Sequence, residues 1–163
     1  MRITLERAES ICELYDFKLR LGEYLDVDQQ CGCNIGLMAV GHLGGVEAAR
    51  LSIDYATLKA DAFHATMAEA LGTDTAYLVG LEAGFEGWIP EDIAGFHLHH
   101  LDTQEFWEGY IDGSEIGTAA DKGELPLYSN PIVEERSGQR ILRRETMRTR
   151  AFEAVANPEV VGV

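Results

Sequence analysis

Glycine spacing constrains this chain more than any other feature. Residues 72–88, slid by 29 positions, fall onto residues 101–117, and the two copies share an aromatic residue followed by glycines four apart. Tyr77-Leu78-Val79-Gly80 meets Phe106-Trp107-Glu108-Gly109, Gly84 meets Gly113, and Glu86 meets Glu115. Each copy follows a candidate helix cap, Thr73 or Asp74 in the first and Asp102 or Thr103 in the second. Glycine inside a helix costs about 1 kcal/mol against alanine, so a stripe such as Gly109, Gly113 and Gly117 implies that something packs very close. The alternative is that these glycines simply end helices and form turns.

The remaining texture is also helical. Leu5, Ala8, Ile11, Cys12, Tyr15 and Leu19 recur at three- and four-residue spacing and predict a helix from Thr4 to about Leu21, with Gly22 near its end. After the acidic stretch Glu23 to Gln30, the apolar run Ile35 to Leu43 predicts a short buried helix closed by Gly44-Gly45. Ala56, Ala60, Phe63, Met67 and Ala70 predict a further helix ended by Gly72, and Leu78, Leu81 and Phe85 another, closed by Gly87 and Pro90.

Past Lys122-Gly123 the prolines Pro126 and Pro131 bias their neighbours toward extended backbone. Pro131-Ile132-Val133-Glu134 with Ser137-Gly138 then reads as the start of a hairpin returning through Arg140-Ile141-Leu142, or Gln139 to Ala156 reads as a helix. The favoured combination is an extended arm and then a helix ended by Asn157-Pro158, leaving Glu159 to Val163 as an apolar peptide able to dock on a neighbour. The expected fold is mainly α: a compact helical domain with an extended C-terminal arm and, as an option, a short β-hairpin. Residues 1–122 form the acidic helical domain and 123–163 the arm with its arginine-rich tail.

Charge divides the chain in the same place. Residues 1–133 hold 23 of the 28 acids but only 7 of the 13 bases, a net charge of −16. The other six bases are Arg136, Arg140, Arg143, Arg144, Arg148 and Arg150. Phosphate repels a body of that sign, so nucleic acid or an anionic membrane could meet only the tail. Guanidinium suits phosphate and carboxylate alike, and the acidic body of another copy or of a partner protein is the natural target. No apolar run approaches the ~20 residues of a membrane span, and the N-terminus lacks a signal-like stretch. A soluble, cytoplasmic chain with three reduced thiols, Cys12, Cys31 and Cys33, is therefore expected.

Two constellations suggest chemistry. In Phe96-His97-Leu98-His99-His100-Leu101-Asp102, imidazole and carboxylate suit zinc, nickel or iron, and on a strand His97 and His99 would share a side, with Glu105 available behind them. The run is similar to the His-x-His-x-Asp-His signature of metallo-hydrolases, although the acid comes two residues after the last histidine and the final histidine is missing. The competing reading is a polar connector before a helix.

Cys31-Gly32-Cys33-Asn34-Ile35-Gly36 precedes a helix, where a thiol acquires a lowered pKa, and His97, His99 or His100 would follow as base in the order seen in papain-like hydrolases. Here the competing reading is small buried cysteines in a tight helix entry. The acid pairs Glu91-Asp92 and Glu134-Glu135 are solvated surface, and no phosphate-binding glycine loop of the familiar kinds is present.

Leu71-Gly72, Tyr77-Leu78, Gly80-Leu81 and Gly84-Phe85-Glu86-Gly87, downstream of Cys33-x-x-Gly36, resemble a pattern in small uncharacterised proteins of bacteriophages and prophages. The resemblance implies a setting, host cytoplasm or virion, and no activity. The expectation is a non-enzymatic binding or assembly protein without a cofactor, making subunit or partner contacts through its C-terminal arm. A small metal-dependent hydrolase using His97, His99 and Asp102, a thiol hydrolase using Cys33, and an acidic inhibitor imitating nucleic acid are the alternatives.

Overall fold

The computed structural model describes residues 2–92, 98–128 and 131–157. Seven helices dominate it: α1 (Leu5–Tyr15), α2 (Asn34–Leu43), α3 (Val46–Thr57), α4 (Phe63–Leu71), α5 (Thr75–Glu86), α6 (Gln104–Asp121) and α7 (Pro131–Ala156). The mainly α class is as expected. Strand is confined to a parallel pair, β1 (Lys18–Leu19) and β2 (Cys31–Gly32), with Lys18 opposite Cys31 and Leu19 opposite Gly32.

The helix boundaries follow local chemistry. Thr4 caps α1 by accepting a hydrogen bond from the Arg7 amide at 3.1 Å, and Thr103 caps α6 by accepting from Phe106 at 3.4 Å. Gly72 and Gly87, both left-handed, close α4 and α5.

Two of the expected helices are cut short. α1 stops at Tyr15 because Asp16 turns left-handed, and the chain then alternates, Phe17 and Leu19 buried and Lys18 exposed, as a strand requires. The helix expected through Ala56, Ala60 and Phe63 is two helices, separated where Ala60 takes a φ of +34°. Its first part begins at Val46, directly behind the glycines that end α2.

The helices α5 and α6 form the centre of the molecule. A Cβ on Gly80 would press on the backbone of Phe106 and Tyr110, and one on Gly84 on that of Tyr110 and Ser114. Conversely, a Cβ on Gly109 would meet Tyr77 and Leu81, and one on Gly113 would meet Leu81 and Phe85. Contacts therefore rise together along both helices, which run parallel, each glycine seated between two residues four apart on the other helix. The two copies of the repeat form this seam, and the helix-pair reading of the glycines is the correct one. These four helical glycines cost about 4 kcal/mol in propensity, offset by backbone-to-backbone contact that no larger residue permits.

One hydrophobic cluster joins α1 to α5, through residues such as Ile11, Leu37, Met67 and Leu81. A second joins α5 and α6 to α7: Ala83, Phe106, Trp107, Tyr110 and Ile111 against Met147, Ala151 and Ala154.

α6 ends at Asp121 with Lys122 as its cap. The arm is extended only over the next few residues, where Pro126 accepts from the Leu19 amide at 2.8 Å and Tyr128 donates to the Leu19 carbonyl at 2.7 Å. No hairpin forms beyond it among the described residues, because α7 takes over at Pro131. Proline is well suited to a first helical position, where its missing N–H costs no bond and its fixed φ is already helical.

Candidate functional site

A pair of buried carboxylates is brought together with an aromatic residue and a thiol from three sequence-distant segments. The loop Gly22–Tyr24 lies on the first turn of α2, and glycines admit it: a Cβ on Gly32 would stand 3.0 Å from the Tyr24 carbonyl carbon, and one on Gly36 3.2 Å. This is the physical content of the Cys33-x-x-Gly36 pattern. Cys33 donates its amide to the Glu23 carbonyl at 2.7 Å, locking the loop in place. Opposite stand Glu82 and Glu86, one turn apart on α5. Together with Trp88 these residues enclose a cavity of about 150 Å³.

Both glutamates are buried. Glu86 accepts a hydrogen bond from the Gly22 amide at 2.8 Å, and His64 Nε2 lies 3.4 Å from Glu82, too poorly aligned for a hydrogen bond. Phe63 stacks on Tyr24 with ring centroids 4.3 Å apart, holding the phenol beside Glu82. Burial, and after it Glu82, pushes the Tyr24 phenol far up. Burial also pushes the Glu86 carboxyl up to about 7, the Gly22 amide opposing it and the neighbouring Glu82 adding to it. The pocket thus holds a proton near neutrality.

A stability change follows. Below about pH 4.5 Glu86 is protonated in the folded and unfolded chain alike; as pH rises the unfolded chain ionises first, so this group's contribution falls between about pH 4.5 and 7, by about 3 kcal/mol in all. Glu86→Gln keeps an oxygen for the Gly22 amide and removes the ionisation. Urea unfolding should show the variant more stable than the parent by about 3 kcal/mol at pH 8 and no different at pH 4.

The thiol expectation is corrected at this site. Cys33 does stand at the helix entry, but it is buried, and burial together with Glu82 raises its pKa well above the ordinary value. The desolvation and the acid pair outweigh the helix end, so the sulfur stays protonated and is a poor nucleophile. Cys12 and Cys31 are likewise buried free thiols.

The histidine run forms no strand where it is described: residues Leu98–Asp102 make a short 3-10 helix, with His99 and Asp102 exposed and the His99 and His100 rings 4.3 Å apart. His97 lies outside the described residues. Among the described residues no three His, Cys, Asp or Glu side chains are grouped to hold a metal ion.

The arginine tail meets an acidic body, and that body belongs to its own chain. Arg140 and Arg144 both clamp Asp121, at 2.6 and 2.8 Å, with the Arg144 and Asp121 side chains fully buried. Arg144 also donates to the carbonyls of Phe85 and Gly84 (3.1 Å), the latter already accepting from the Gly87 amide at 3.2 Å, and Arg143 donates to the Gly87 carbonyl (2.9 Å), so α7 binds the end of α5 through its backbone. Gly117 leaves room for this: a Cβ there would lie 2.7 Å from Arg144 Nη2. Arg148 lies 3.3 Å from Glu115, and Arg150 pairs with Glu91 at 2.7 Å above the Trp107 ring. Arg136 is exposed.

Comparison with protein-family models, curated proteins and solved structures finds no match for this chain. No helix among the described residues is long and apolar enough to cross a membrane.

Sequence reasoning singled out Cys33 and Gly36 and named Glu86 in the repeat and His64 as a spare metal ligand, but it did not join these to Tyr24 and Glu82 in one pocket. A signal was present: α5 is apolar or glycine on almost every side, so its two glutamates had no solvent face to occupy.

Proposed function

We propose that the protein acts by binding rather than catalysis, as an assembly protein of phage type whose copies meet through the outer face of α3. The observation that carries this is an apolar stripe facing solvent: Leu51, Tyr55 and Leu58, four and three residues apart, are 60, 56 and 83% exposed. A helix face of that kind is ordinarily buried.

Its charged surroundings suit a second copy of the same acidic chain. Arg50 binds Glu47 and Asp54, and Lys59 lies 4.9 Å from the Tyr55 ring, so two acids and two bases cancel around the stripe while the whole chain carries −15. Two copies meeting here therefore bring little net charge together. The tail arginines Arg140 and Arg144 contribute indirectly, by holding α7 on the body. The solvent side of α7, with Arg136, Leu142 and Phe152, is the arm's own contact surface.

Light scattering and sedimentation of the full chain across salt concentrations test the reading. An apolar contact between like-charged copies strengthens as salt screens their repulsion, and Leu51→Asp with Leu58→Asp abolishes it. An oligomer that falls apart in salt assigns assembly to arginine–carboxylate contacts instead. A monomer at every concentration and salt removes self-assembly.

A further inference from the structure

A second cavity, of about 320 Å³, opens beside the start of α1. That volume is at the lower end of small-molecule sites. Its apolar lining is Ile3, Ile11 and Met38, all buried, and its polar lining includes Thr4, Arg7 and His42, all exposed. Arg2 also borders it, but Asp112 holds that guanidinium through two bonds of 2.9 and 3.0 Å.

The Arg7 guanidinium stands exposed at this cavity with His42 beside it. Arg2, Arg20, Arg50, Arg140, Arg144, Arg148 and Arg150 are ion-paired, and Arg143 is held by the Gly87 carbonyl. Arg7 and His42 take part in no ion pair among the described residues. The Arg7 guanidinium beside an apolar hollow is complementary to a ligand bearing a negative charge, and the exposed His42 ring offers that ligand a hydrogen-bonding group. The start of α1, whose cap Thr4 lines the cavity, adds a partial positive charge of its own.

We propose that this cavity binds a small amphiphilic anion of the medium-chain carboxylate class. The hydrocarbon chain lies against Ile3, Ile11 and Met38, and the carboxylate meets Arg7 and His42. Charge and chain are both required: a short carboxylate has no hydrocarbon to bury against the apolar lining, and the Arg7 guanidinium disfavours an ammonium headgroup on the same tail.

Isothermal titration of the full chain at low salt, with sodium octanoate, sodium acetate and octylammonium chloride as probes, tests this. The expected result is one saturable octanoate site, no acetate binding, and octylammonium weaker by about tenfold or more. Arg7→Glu combined with His42→Ala changes exposed side chains only, so circular dichroism and Tm stay at parent values while octanoate affinity drops about tenfold or more. Absence of saturable octanoate binding, equal binding of octylammonium, or undiminished affinity in the folded variant would each overturn the proposal.

Discussion

Alanine at Gly109 is expected to destabilise the protein by about 3 kcal/mol or more, although alanine is the better helix former. The added carbon would stand 2.9 Å from the Leu81 amide nitrogen and press on the Tyr77 carbonyl, both of them backbone atoms that cannot rotate aside. Relief requires α5 and α6 to separate, which loosens every contact along the seam and tilts the platform on which α7 packs. Gly113→Ala, 2.9 Å from the Phe85 amide, should behave alike, and the two together should prevent folding, since a domain of this size has only about 5–15 kcal/mol of stability.

Gly138→Ala supplies the control. Gly138 lies within α7 with nothing inside 4 Å of its added Cβ, so alanine there should stabilise by about 0.5–1 kcal/mol. Urea unfolding of the three variants decides the matter. Equal effects at Gly109 and Gly138 would mean that the seam is looser than its geometry requires.

The second large effect concerns Arg144. Truncation to alanine strips the bonds to Gly84 and Phe85 from the end of α5 and leaves the buried Asp121 with Arg140 as its remaining guanidinium partner. Breaking a buried ion pair from one side costs about 3–5 kcal/mol, and because Arg140 still holds both Asp121 oxygens the loss here should fall near 3 kcal/mol. Arg144→Lys should recover little of this. A single ammonium does not reproduce a planar fork that reaches two carbonyls and a carboxylate at once. Asp121→Asn should be comparably destabilising, since it leaves two buried guanidinium groups facing a neutral amide. A drop in the urea midpoint at unchanged m-value is the expected signature, and a variant of parental stability would show that the clamp contributes nothing.

Several elements were legible because their causes are local. Gly72 and Gly87 end helices through their own backbone freedom, and Thr103 caps α6 through an amide three residues away. Where local signals competed, the outcome depended on partners. The periodicity through Leu19 suggested a continuing helix, yet pairing with Gly32 and Pro126 made those residues a strand. The prolines before α7 favoured extended backbone, but Pro131 sits at the one helical position where proline is harmless.

The candidate pocket was half legible. Its glycines betray a close approach, whereas its charges come from Tyr24, Glu82 and Glu86, brought together across some sixty residues of chain.

By itself the sequence determined that this chain is mainly helical, that Gly72 and Gly87 end helices, and that its glycine stripes mark either a close helix pair or a set of turns. All of these follow from spacings of three or four residues. Only the tertiary structure decided that the stripes belong to a parallel helix pair, that burial and a neighbouring acid keep Cys33 protonated, and that the tail arginines close on Asp121 of their own chain. Charge attracts without regard to sequence separation. Which carboxylate an arginine meets is therefore set by the packing of α7 against α5 and α6, a contact that no local pattern encodes.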